Sequence, residues 1–186
     1  MADIGRQPMN PDLFQKIERI LHDMIHGDDT AKLQANVDAA ELPSEAVPRI
    51  AEVCNEDDRV RSKTAGEVLK MMTHHAARPG ARVEARNMTG ELSKLVNDNS
   101  PKNLRLLAID LLGYVGGAEA VPALSRQLTD PVTQDVARMA LERIPSRAAE
   151  TALKTALSKS SPEFRKSLEL SLSHRKMEFK TVGVKL

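Results

Sequence analysis

The stretch Ala46-Val47-Pro48-Arg49-Ile50 returns later in the chain as Ala120-Val121-Pro122-Ala123-Leu124. Each copy opens an apolar, helix-like run. Proline fits there because the first turn of a helix has no partner for its N–H groups. Each run leads to an acidic turn, Asp57-Asp58 after the first and Asp130-Pro131 after the second. A second amphipathic stretch follows, beginning Arg59-Val60-Arg61 or Val132-Thr133-Gln134. Such self-similarity points to stacked helix pairs, because no single pair can bury its apolar face alone.

Helix signals continue on both sides of the two motifs. Asn10-Pro11-Asp12 is a helix start, with Asn10 as N-cap and Pro11 in the first turn. Leu13, Phe14, Ile17, Ile20, Leu21, Met24 and Ile25 follow at helical spacing. Gly27-Asp28-Asp29 closes that helix, and Thr30 opens another carrying Leu33, Val37 and Ala40. Past the first motif, Val60, Thr64, Val68, Leu69 and Met72 form a stripe. Pro79-Gly80 then marks an irregular joint, and a helix is expected over about 83–96. Leu104, Leu107, Ala108, Leu111 and Leu112 form the next stripe. Val136, Ala140, Leu141 and Ile144 form another, and a last pair carries Ala149, Leu153, Leu157, Phe164, Leu168 and Leu172. The turns at Asp28, Asp57, Asp98, Asp130 and Ser160 recur every ~30 residues, with one longer gap. The expected organisation is a flexible lead over 1–10, a repeat domain over 11–174 and a basic tail over 175–186. The end of that tail, Thr181-Val182-Gly183-Val184, has strand-like content.

Composition narrows the function. At 186 residues the chain is long enough to bury a substantial core without disulfides. Its net charge is +1, which gives no general pull toward nucleic acid or anionic membrane. Aromatic residues make up 2%, with no Trp and one Tyr, so platforms for stacked bases or flat cofactors are nearly absent. Cys54 is the single cysteine, which rules out an intramolecular disulfide or a thiolate cluster and fits a reducing compartment. No apolar run approaches the ~18 residues of a membrane span, and the N-terminal residues do not read as a signal peptide. A cytoplasmic location is the expectation.

The junction Leu111-Leu112-Gly113-Tyr114-Val115-Gly116-Gly117-Ala118-Glu119-Ala120-Val121-Pro122-Ala123-Leu124 resembles the join between units of HEAT repeats, most closely the short bacterial PBS-lyase HEAT-like type. That family also places an Asp in the turn within each unit and a Val-Arg pair in the second helix. Asp57 or Asp58 with Val60-Arg61 matches, as does Asp98 with Leu104-Arg105. Asp130 with Val136-Ala137 lacks the Arg, and Phe164-Arg165 lacks the Asp. The resemblance covers 43–172 and extends more loosely to 12–42. It implies an all-α, right-handed α-solenoid of about five helix pairs. It is far less specific for function, since such arrays serve as scaffolds, adaptors, lyase subunits, DNA-repair enzymes and hydroxylases.

Arg61, Arg105 and Arg165 could form a basic ladder, or could tie adjacent units together. His22 and His26 share a helix face at metal-ligand spacing, but the chain has no His-Glu dipeptide of the di-iron kind. No Gly-x-Ser-x-Gly elbow occurs, and Gly116-Gly117 lacks the Lys-Ser or Lys-Thr of a phosphate loop. The expectation is therefore a non-enzymatic protein-binding or scaffolding module without metal or cofactor. Its binding face would be the concave surface of the second helices. Arg59, Arg61, Lys63, Lys102, Arg105, Gln134, Arg138, Arg165 and Lys166 are the candidate binding residues. A bilin-lyase-like enzyme or subunit and a nucleic-acid-binding protein are the alternatives. The partner and the oligomeric state stay open.

Overall fold

The computed structural model describes residues 9–181, with side chains through Met177. Among them the regular structure is all helical, with ten α-helices. These are α1 (Pro11–His26), α2 (Asp29–Ala40), α3 (Val47–Val53), α4 (Arg59–Ala76), α5 (Arg82–Leu95), α6 (Lys102–Val115), α7 (Val121–Gln127), α8 (Gln134–Arg143), α9 (Arg147–Leu157) and α10 (Pro162–Thr181). Short 3-10 turns at Ser44–Ala46 and Ala118–Ala120 lead into α3 and α7. The chain forms two compact units, Met1–Met72 and Thr73–Leu186, so the boundary falls within α4.

In the first unit the expected start holds, with the Asn10 side chain accepting from the Asp12 amide at 2.8 Å. Helix α1 buries Ile17, Ile20 and Leu21. Asp28 caps α2 by accepting from the Ala31 amide at 2.8 Å. The face of α2 that packs inward differs from expectation. Ala35 and Ala39 are buried, whereas Leu33 is 68% and Val37 48% exposed. Small side chains let α1 and α2 lie close together, and the larger pair is turned away. Val60, also expected in a buried stripe, is exposed, while Val68, Leu69 and Met72 are buried as expected.

In the second unit, α5 packs on α6, α7 on α8, and α9 on α10. Helix α8 also packs against α6 and α10. Helix α9 meets α7 and the 3-10 turn before it, and that turn also meets α5. The core is aliphatic: Leu92, Leu104, Ile109, Leu111, Leu112, Leu124, Leu141, Ile144, Leu153 and Leu168 are all buried. Each such Leu or Ile contributes ~2 kcal/mol through removal from water. At the irregular joint Gly80 has φ +91°, a conformation that a side chain would strain.

The C-terminal helix does not stop at His174, since α10 runs to Thr181. The start of the expected tail is therefore helical, and Arg175 within it is fully buried. Residues 182–186 and most of the strand-like stretch lie outside the described residues, as does the expected lead up to position 8. Among the described residues no helix is long and apolar enough to cross a membrane.

Candidate functional site

The candidate binding residues fall into two groups. Arg61, Arg105 and Arg138 are engaged by acids of the chain itself. Arg61 reaches Glu18 of α1 at 2.5 Å and Glu56 at 2.8 Å. Arg49 also reaches Glu18, at 2.9 Å, so two guanidiniums share one carboxylate. Burial pushes the Glu18 pKa up, but the hydrogen bonds and charges of Arg49 and Arg61 outweigh it and hold the carboxyl below its ordinary value. Arg105 spans two turns, with Asp98 at 2.8 Å and Asp130 at 3.4 Å. Arg138 meets Asp135 at 3.5 Å, Glu142 at 3.3 Å and the Ser171 hydroxyl of α10 at 2.6 Å. These three arginines tie helices and turns together.

The second group stays in solvent. Arg59, Lys63, Lys102, Arg165 and Lys166 are exposed, and none forms an ion pair with another described residue. Arg59 and Lys63 edge a shallow hollow of about 450 Å³ on α4, with Val60, Thr64 and Glu67. Gln134, half-buried at the start of α8, lines a larger groove of about 970 Å³. That groove is bounded chiefly by α7 and α9, which are first helices of their pairs, with Leu128, Ala152 and Phe164 among its apolar walls. Several of its hydroxyls donate to main-chain carbonyls: Ser125 to Val121 at 2.6 Å, Thr155 to Thr151 at 2.9 Å, and Ser160 to Ala156 at 2.7 Å. Lys159 is its only charged wall residue among the described residues.

A third assembly lies on the second helices of the C-terminal unit and was not singled out from sequence. Tyr114 of α6 is 48% exposed. The Arg143 guanidinium of α8 lies over its ring at 4.3 Å from the centroid, and the His74 ring meets it edge-on at 5.1 Å. Arg143 is itself fixed by Asp110, with Nη2 2.7 Å from Oδ1. Cation–π contact at an exposed site contributes ~0.5–1 kcal/mol, and the Asp110 tie restricts the guanidinium further. Gly113 makes the arrangement possible. A Cβ there would lie 2.8 Å from Ala140 Cα and 3.0 Å from Arg143 Nη1, so only glycine allows α8 this close. Exposed Met139 precedes Arg143 by one turn on the same helix. The available signal was spacing: Met139 and Arg143 stand four apart, off the face that buries Ala137, Ala140 and Leu141.

Arg175 donates to the carbonyls of Leu141 (2.6 Å), Glu142 (2.8 Å), Ile144 (2.7 Å) and Ser146 (3.0 Å). It thereby satisfies the carbonyls left open where α8 ends. His22 and His26 have ring centroids 5.3 Å apart, and His22 contacts Asp23 at 3.1 Å. Among the described residues no group of three or more His, Cys, Asp or Glu is placed to hold a metal. Burial pushes the Cys54 thiol up to about 11, which suits an unreactive side chain. No family model matches this chain, and no curated protein matches it either.

Proposed function

We propose that the chain is a non-enzymatic protein-binding or scaffolding module, built as a HEAT-like right-handed solenoid that binds through its second helices. The observation that carries this reading is Tyr114, exposed yet held by Arg143 over its ring and His74 at its edge, with exposed Met139 one turn before Arg143 on α8. Exposed Tyr, Arg and Met are the side chains that dominate protein interfaces. A pre-ordered ring loses little further entropy when a partner covers it. The sequence motifs and the alternation of first and second helices in the C-terminal unit support the solenoid reading. The partner expected is a protein segment that places an apolar side chain against the Tyr114 ring and Met139. The arginines tied into the helix packing are assigned to structure, and Tyr114, Met139 and Arg143 replace them as the binding centre.

Affinity purification with mass spectrometry from the native host tests this. Proteins retained by the wild-type chain are expected to be lost on Tyr114→Ala, with the circular dichroism spectrum unchanged. Retention of the same set by Tyr114→Ala would reject the second-helix face. Loss of that set on Ala152→Arg, which fills the α7–α9 groove, would move the site to the first helices.

A further inference from the structure

The C-terminal end of α1 carries His22 and His26, four residues apart and both exposed. That spacing places both rings on one side of the helix. Their centroids lie 5.3 Å apart and their planes are tilted by 53°, so the rings are not stacked. The Nδ1 atom of His22 lies 3.1 Å from Asp23 Oδ1. An ionised carboxylate only accepts, so Nδ1 carries the proton and Nε2 keeps its lone pair. His26 forms no hydrogen bond or ion pair with another described residue, so one of its nitrogens is open to a ligand. Glu18, one turn before His22 on the same side, is held by Arg49 and Arg61 and adds no third ligand. Arg19, the cation nearest in sequence, is tied to Asp38 at 2.9 Å. Exposed Asp28 and Asp29 follow His26 within three residues. The end of α1 is therefore acidic, and a helix C-terminus itself favours a cation.

We infer that His22 and His26 chelate a divalent transition-metal ion of the imidazole-binding kind, such as Zn²⁺, Ni²⁺ or Cu²⁺. Zinc sits about 2.0–2.1 Å from an imidazole nitrogen, which puts it about 3.2 Å from the ring centroid. Two imidazoles on one tetrahedral ion therefore have centroids about 5.2 Å apart. The 5.3 Å spacing of the two rings matches. Asp23 supplies the outer carboxylate that metal-bound histidines commonly carry. It fixes the tautomer of His22 and makes Nε2 a better electron donor. Imidazole favours these ions over Mg²⁺ and Ca²⁺, which take oxygen ligands. Two protein ligands leave the other coordination positions to water, so the site is weak and open to an added ligand. A bound ion ties successive turns at the end of α1, so it stabilises the folded chain as free metal rises.

Both rings are in solvent, so alanine at either position removes no core packing. Isothermal titration of the full chain with Zn²⁺ is expected to show one saturable equivalent, with a dissociation constant of ~10–100 μM. Mg²⁺ in its place is expected to give no binding. His22→Ala and His26→Ala are each expected to weaken Zn²⁺ binding at least tenfold. His75→Ala removes a different imidazole and is expected to leave it unchanged. Asp23→Ala is expected to weaken it ~10-fold while leaving both rings in place. In nuclear magnetic resonance spectra, paramagnetic Ni²⁺ is expected to broaden the ring signals of two of the five histidines and spare the rest. No saturable binding up to about 1 mM Zn²⁺ overturns the inference. So does an affinity that neither alanine at His22 nor alanine at His26 changes. An affinity unchanged in Asp23→Ala reduces the pair to an ordinary tilted ring contact and overturns the built site.

Discussion

The two Ala-Val-Pro segments fold alike and are then held differently. Ser44–Ala46 and Ala118–Ala120 are both 3-10 turns, and each leads into a seven-residue helix. Ala46 and Ala120 share ψ −22°. One position later than the proline the copies diverge, with Arg49 in the first and Ala123 in the second. Arg49 reaches out to Glu18, where it joins Arg61 in an ion cluster. Ala123 is buried against its neighbours, and the second unit instead relies on Arg175 bonding to main-chain carbonyls. The motif therefore sets local backbone, and residues around it choose the tie. A partly exposed ion cluster and a buried guanidinium on carbonyls should respond differently to mutation and to pH.

The largest effect is expected at the buried tie. Arg175→Met removes the donor from four carbonyls at the end of α8 and leaves buried groups unsatisfied, costing ~3 kcal/mol. Urea unfolding followed by circular dichroism reads this as a lowered midpoint. Gly113→Ala comes next, because the added Cβ meets backbone at Ala140 and must push α8 away. A loss of ~2 kcal/mol is expected from this overpacking, together with release of Arg143 from the Tyr114 ring.

The ion cluster of the first unit should matter less at neutral pH and more in its pH dependence. Its side chains are a fifth to a third exposed, so solvent screens the pairs, and Arg61→Met is expected to cost ~1 kcal/mol. The Glu18 pKa is lowered in the folded chain, so its unfolded form binds a proton first as pH falls. The cluster's contribution is therefore complete above the ordinary carboxylate range and disappears as pH falls through the depressed folded value. Urea midpoints measured across the acid range should fall less steeply for Arg61→Met than for wild type. A parallel pair of curves would remove Glu18 from the account.

The smallest readout is at Cys54, beside that cluster. Its thiol, pushed up to about 11 by burial, should react with iodoacetamide at least tenfold more slowly in the native chain than in urea at about pH 8. Equal rates would mean that the end of α3 opens readily.

The sequence showed the helix starts well because their signals are local. Asn10 accepts from an amide two residues ahead as expected of an N-cap, and Asp28, Asp58 and Asp130, read as turn residues, each accept from an amide one turn or less ahead. The choice of buried face was legible where one face held the large apolar residues, as in α1. It failed in α2, where Leu33 and Val37 lie on one side and Ala35 and Ala39 on another, and close packing selected the smaller pair. Arg61 and Arg105 were recognisable as either ladder or ties, and only the positions of Glu18 and Asp130 distinguish the two. Tyr114 was hidden because its meaning depends on Arg143, 29 residues on, and on the glycine that brings their helices together. Arg175 was hidden because a cation among Lys and Arg reads as solvent-facing until a helix end is placed beside it.

The comparison that tests the central claim most directly is the dissociation constant of a captured partner for wild type, Tyr114→Ala and Ala152→Arg. Binding through the second helices predicts a loss of ~30-fold for Tyr114→Ala and no change for Ala152→Arg. Unchanged affinity in Tyr114→Ala with loss in Ala152→Arg would contradict it.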